Sequence, residues 1–156
     1  MSGTLANDDA LPINDGEGWK IATCHCGRVS LDLPSKPDEL NECRCTICFQ
    51  YGALWAYYPR KDVTVTVSTP PTTSAPTIPS SASSSTGSHG IQKYIREDKK
   101  GERSRLSFNR CGNCGVLTHW WGESGDYAGD DHRMGVNCRL LGEKGIAGIE
   151  RHVSYE

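Results

Sequence analysis

Cys43-Arg44-Cys45-Thr46-Ile47-Cys48 sets three thiols into six residues, and two shorter runs echo it: Cys24-His25-Cys26-Gly27 upstream and Cys111-Gly112-Asn113-Cys114-Gly115 downstream. Thiols this close in sequence make strained disulfides but good neighbours around a cation. A Cys-x-x-Cys turn points two sulfurs at one tetrahedral ion while backbone amides of the turn donate to them. Gly115, directly after the second cysteine, permits the positive φ that such turns often need. The spacing therefore predicts metal knuckles rather than disulfides.

The rest of the chain agrees. Its first residues, MSGTLANDDALPINDGEGWK, are polar and acidic, with no basic start or apolar run. We expect no secretory signal, hence a reducing, cytoplasmic setting in which clustered cysteines hold metal. The longest apolar run, about Ala53 to Tyr58, is strand-sized, so no membrane span is expected. Net charge is −2, and falls to about −5 when seven thiolates and two Zn²⁺ are counted. That balance argues against broad contact with a phosphate backbone, and no nucleic-acid partner is expected. A local basic stretch (Lys93, Arg96, Lys99, Lys100, Arg103, Arg105) reads as a solvated hairpin end.

Counting ligands is more informative than finding them. Cys24, Cys26, Cys111 and Cys114 supply two plus two sulfurs, enough for a closed structural zinc site. Cys43, Cys45 and Cys48 supply three, and a tetrahedral zinc with three protein ligands keeps a position for water, a thiol or substrate. A fourth protein ligand would close that site instead, and Cys138, His25, His119 and His132 are the candidates.

Hydrophobic residues make up 36% of the 156, with only two Phe and two Met. The core must draw on Val, Ile, Leu, Trp and Tyr, and metal would staple it. Residues 1–15 read as a disordered tail, and 16–156 as one zinc-binding β-domain. A flexible Ser/Thr/Pro-rich insertion at 68–90 interrupts it. Val29, Leu31 and Leu33 alternate with polar residues up to Pro34, and further strands are expected over Ala53–Pro59, Val63–Val67, Ile91–Arg96, Ser104–Arg110, Val116–Trp121 and Met134–Leu141. Cys43 to Gly52 reads as a tight knuckle. Pro59 to Asp62 reads as a turn, and no helix is expected beyond a turn near Gly148 to His152. The fold class is all-β.

The order CxCG, CxCxxC, CxxCG, with Gly52-Ala53 after the triplet and Gly135-Val136-Asn137 near the end, resembles the glutathione-dependent formaldehyde-activating enzyme family, which includes centromere protein V. The resemblance runs from about Trp19 to Leu141. It implies a small Mss4-like β-sheet domain with two zinc sites: Cys24, Cys26, Cys111 and Cys114 on a structural ion, and Cys43, Cys45 and Cys48 on a catalytic one. Cys138 lies outside the seven-ligand pattern and reads as a small buried residue.

The activity so implied is that of a carbon–sulfur lyase acting on a thiol adduct, such as that of glutathione with formaldehyde or another small electrophile. Three thiolates dampen a metal's Lewis acidity, which suits a soft sulfur substrate better than water. The rival reading is a non-enzymatic zinc-built interaction module, with both sites closed; a metal buffer with labile zinc is a weaker one.

Other residues carry milder expectations. His119 reads as a satisfied structural histidine and His25 as solvent-facing. Trp55, Tyr57 and Tyr58 follow the triplet and could wall a substrate cleft, with Trp55 in the core and a tyrosine donating to developing charge. Arg44 and Arg110, each beside a ligand, could offset thiolate charge or hold a substrate carboxylate.

Overall fold

The computed structural model describes residues 19–68, 90–96 and 105–155. The expected N-terminal tail and nearly all of the insertion lie outside them.

Two sheets carry the chain. The smaller has three antiparallel strands in the order β1 (Ile21–Thr23), β2 (Val29–Asp32) and β5 (Thr64–Val67). The larger has seven. It contains β3 (Glu39–Cys43), β4 (Trp55–Pro59), β6 (Ile91–Ile95), β7 (Arg105–Cys111), β8 (Leu117–Ser124), β9 (Arg133–Asn137) and β10 (Glu150–Ser154). Their spatial order is β10-β3-β4-β9-β8-β7-β6, and only the β10–β3 pair is parallel. The protein is mainly β, as its alternation implies.

Strand alternation sends each side chain to one of two cores. Leu40, Leu54, Ala56, Met134 and Val136 face the small sheet and meet Ala22, Val29 and Leu31 there. The opposite face carries Trp55, Phe108 and Trp120, covered by Cys45, Cys48 and Ile47 of the knuckle segment. The large sheet is thus buried on both sides, and its second face is where the triplet sits.

Four local outcomes differ from the sequence reading. The knuckle contains a helix, α1 (Thr46–Tyr51), which Gly52 ends in the left-handed conformation at φ 63°. Its amide reaches the Phe49 carbonyl, and that of Ala53 the Cys48 carbonyl, both at 3.1 Å. Glu39–Cys43 is a strand that the pattern did not suggest. The strand expected to run on to Leu141 ends at Asn137, where a 3₁₀ turn over Cys138–Leu141 leads into α2 (Gly142–Gly145). The expected turn near His152 is instead β10, an exposed edge strand. The gap at Pro59 to Asp62 is a single 3₁₀ turn over Arg60–Asp62.

The Gly135-Val136-Asn137 run turns out to be architectural. A Cβ on Gly135 would stand 2.1 Å from Nε1 of Trp120, so only glycine lets that indole lie on β9. Asn137, 5% exposed, donates to the Leu117 carbonyl at 2.9 Å and accepts from the amides of Leu54 and Arg139, both at 3.3 Å. One side chain ties the ends of β4, β8 and β9 together.

Candidate metal centres

The first thiol group is built from two turns of similar make. After β1, the amide of Cys24 reaches the Val29 carbonyl at 2.9 Å; after β7, that of Cys111 reaches the Val116 carbonyl, also at 2.9 Å. Gly27 and Gly115, each following the second cysteine of its pair, both sit at φ 76°. Amides of Val29 and Asn113 point at the sulfurs of Cys24 and Cys111, at 3.2 and 3.4 Å.

The four Sγ atoms of Cys24, Cys26, Cys111 and Cys114 lie within 4.8 Å of one another. Cys24–Cys26 is 3.6 Å and Cys26–Cys111 is 3.5 Å. A disulfide needs about 2.05 Å. Tetrahedral zinc–sulfur bonds of about 2.3 Å require sulfurs roughly 3.8 Å apart. The spacing fits a metal centre and excludes a disulfide as drawn. Electrostatics agree: burial pushes the Cys24 thiol up to about 12. At Cys26 burial also acts upward, but hydrogen bonds from Asn113, the Arg28 backbone and the neighbouring thiols outweigh it, giving about 6. Four sulfurs brought this close form a group that could hold a metal ion.

The second group, Cys43, Cys45 and Cys48, also has its sulfurs within 4.8 Å of one another. Cys43 closes β3, Cys45 is the residue before α1, and Cys48 lies inside it. The indole Nε1 of Trp55 donates to Cys48 Sγ at 3.3 Å. Burial pushes the Cys48 thiol upward. For Cys45 burial acts upward too, yet the Cys48 amide, the sulfurs of Cys48 and Cys43 and the charge of Arg96 bring it below its ordinary value. The sequence reading put Arg96 in a solvated basic stretch, because its nearness to the triplet depends on the fold and not on chain distance.

Among the described residues no further Cys, His, Asp or Glu completes the triplet. Cys138 is fully buried in the other core, on the far side of the sheet, where burial raises its thiol to about 12. His25 and His132 are exposed.

His119 is fully buried, and its pKa is driven down to about 3 by that burial, with the charge of Arg60 acting the same way. It is only half satisfied, contrary to expectation. Thr118 Oγ1 donates to the Asn109 carbonyl at 2.9 Å, so the 2.8 Å contact to His119 Nδ1 must be an imidazole N–H donating back. That leaves Nε2 a bare acceptor, with no hydrogen-bond partner.

Arg44 pairs with Glu42 at 2.7 Å, and Arg110 donates to Gln92 at 3.1 Å, so both turn to surface partners. The cations that do stand by the triplet's aromatic floor are Arg96 and Arg133. The Arg133 guanidinium stacks 4.7 Å from the Tyr57 ring and 6.0 Å from that of Trp120. Trp120 in turn sits edge-on to Trp55 at 6.4 Å and to Tyr57 at 6.0 Å.

Trp55, Tyr57 and Tyr58 do line a cleft, of about 430 Å³. It opens because β3 and β4 pair only at Asn41 and Trp55 and then diverge. Asn41 Nδ2 donates to the Tyr57 hydroxyl at 2.6 Å, so the phenol proton is left for another acceptor. Burial raises the Tyr57 pKa, so the phenol keeps that proton. Trp55 belongs both to the cleft wall and to the Cys48 hydrogen bond.

No family model and no curated protein matches this chain. It is similar to a solved Rhodobacter sphaeroides protein, a structural-genomics target, with a TM-score of 0.53 and 20% identity over 85% of this chain and 99% of that one. That likeness speaks to the fold. No helix among the described residues is long and apolar enough to cross a membrane.

Proposed function

We propose that the protein is a zinc enzyme of Mss4-like fold, one ion clasped by Cys24, Cys26, Cys111 and Cys114 and a second held by Cys43, Cys45 and Cys48. Its reaction is the addition of a thiol such as glutathione to formaldehyde or a related small electrophile, or the reverse carbon–sulfur cleavage. The observation that carries this reading is the uneven sharing of sulfur: four in one group, three in the other, with no fourth protein ligand among the described residues.

When bound at the triplet, zinc would lower the pKa of a thiol in its remaining position. The chain's own part is to hold and shield. Trp55 fixes the sulfur of Cys48. The Tyr57 phenol is available to donate to the oxygen that gains charge as sulfur meets carbon, and Asn41 orients it. Trp55 and Tyr57 line the neighbouring cleft, and Trp55 also donates to Cys48 of the triplet. A reducing compartment such as the cytoplasm suits both the free thiols and the thiol substrate.

Zinc-edge absorption on the full chain tests the reading. Seven protein sulfurs over two ions average about 3.5 per zinc. Glutathione should raise this towards 4, and the protein should speed formation and cleavage of the glutathione–formaldehyde adduct. A shell of four sulfurs before any thiol is added, indifferent to glutathione, would instead make both sites structural and the protein a binding module.

A further inference from the structure

The four-thiol group has an inside and an outside. Cys24 and Cys111 are fully buried, and each sulfur accepts a backbone amide, from Val29 at 3.2 Å and from Asn113 at 3.4 Å. Cys26 and Cys114 lie part-way out to solvent. An oxidant arriving by diffusion meets those two first, because oxidation of a thiol follows its exposure. What the oxidised sulfur does next depends on the nearest second sulfur.

Cys26 Sγ has two such neighbours, Cys111 at 3.5 Å and Cys24 at 3.6 Å. The distances hardly differ, but chain connectivity separates them. A single residue lies between Cys24 and Cys26, and a disulfide closing so small a ring is strained. Cys111 ends β7, 85 positions further on, so no such ring constrains it. Closing from 3.5 Å to a bonded distance of about 2.05 Å moves each sulfur by under about 1 Å.

We propose that Cys26 is a site of peroxide oxidation whose end product is a Cys26–Cys111 disulfide, a covalent tie that takes the metal's place between the two turns. The Cys26 sulfur attacks one peroxide oxygen, the O–O bond breaks, and the departing hydroxide takes the thiol proton and leaves as water. Cys26 is then a sulfenic acid. The Cys111 sulfur attacks the sulfur of Cys26; the S–S bond forms, the S–O bond breaks, and a second water leaves with the Cys111 proton. In sum, two thiols and one peroxide give one disulfide and two waters, the sulfurs losing the two electrons that the peroxide gains. Cys24 and Cys114 are then the group's remaining thiols, too few to close a tetrahedral site, so a metal held there is released. The turns stay joined after its loss, and a bond closing so long a span still restrains the unfolded chain. This inference leaves the triplet's chemistry aside and stands whether or not that group binds a thiol.

The test treats the full zinc-loaded chain with stepwise additions of hydrogen peroxide and follows it on non-reducing denaturing gels. A bond from Cys26 to Cys111 closes a loop over 85 positions, so the denatured chain runs faster, whereas a bond within one turn barely alters it. The expected result is a faster band, zinc release rising in step with it as read by a chromogenic chelator, and peptide mapping that finds Cys26 joined to Cys111. A phosphine reductant should restore the original band, and Cys26→Ser should never give the faster one. Mobility that peroxide leaves unchanged, a mapped pair other than Cys26–Cys111, or a faster band that persists in Cys26→Ser overturns the proposal. Should Cys26→Ser fail to fold, mapping of the unaltered chain decides by itself.

Discussion

Gly135→Ala is the sharpest structural test of how the triplet's floor is built. The new methyl would lie 2.1 Å from Nε1, 2.6 Å from Cε2 and 2.7 Å from Cδ1 of Trp120, where ordinary contact begins at 3.4 Å. The indole must retreat by about 1.3 Å, the difference between ordinary contact and the nearest approach. It has nowhere free to go, since Trp55 and Tyr57 flank it edge-on and Arg133 stacks nearby. Overpacking of this kind costs about 1–3 kcal/mol. For a domain of this size, that lowers Tm by roughly 4–12 °C. Calorimetry gives the size, and tryptophan fluorescence reports the shifted ring. The diagnostic comparison is Trp120→Val, which removes all three opposing atoms. In that background the glycine change should cost under about 0.5 kcal/mol, a coupling expected of residues in direct contact. A similar cost in both backgrounds would refute the steric argument, and so would a single substitution that leaves Tm unmoved.

Three further outcomes follow from the site. Cys111→Ala should abolish cooperative folding, because a metal held at the four-thiol group would supply folding free energy; a soluble variant with unchanged Tm would contradict this. Trp55→Phe removes the donor to Cys48 and should weaken metal at the triplet about 10–100-fold, as measured by chelator competition, while sparing the other centre. His119 is held neutral in the fold, its pKa of about 3 lying below the 6.5 of an exposed imidazole. Its contribution is therefore complete above pH 6.5 and drains away as pH falls towards 3, at up to about 1.4 kcal/mol per unit. His119→Gln lacks this dependence, so urea stabilities of the two proteins should converge as pH drops from 7 to 4; parallel curves would count against the assignment.

The thiol groupings were legible because they are local: Cys24-x-Cys26-Gly27 and Cys111-x-x-Cys114-Gly115 each encode a turn that needs a glycine at positive φ. Alternation showed β2 for a similar reason, since Val29 and Leu31 bury while Ser30 and Asp32 do not. What escaped was non-local or too short. β10, Glu150-Arg151-His152-Val153-Ser154, lies at the sheet's edge with four of five residues exposed, so nothing in its pattern asks for a strand. It exists because β3 lies beside it. α1 spans six residues, less than two turns, and a period needs more length than that to show. The cleft could be anticipated from its aromatic residues but not located, since it depends on β3 and β4 parting after one paired position.

The four-thiol centre joins Cys26 to Cys111, 85 positions away, and residues 69–89 fall within that span. If a protease nicked it, the products would not drift apart: β3 and β4 from the first piece lie wedged between β10 and β9 from the second. The four-thiol group spans the same cut, with Cys24 and Cys26 on one piece and Cys111 and Cys114 on the other, so a metal held there would cross-link what the sheet already holds.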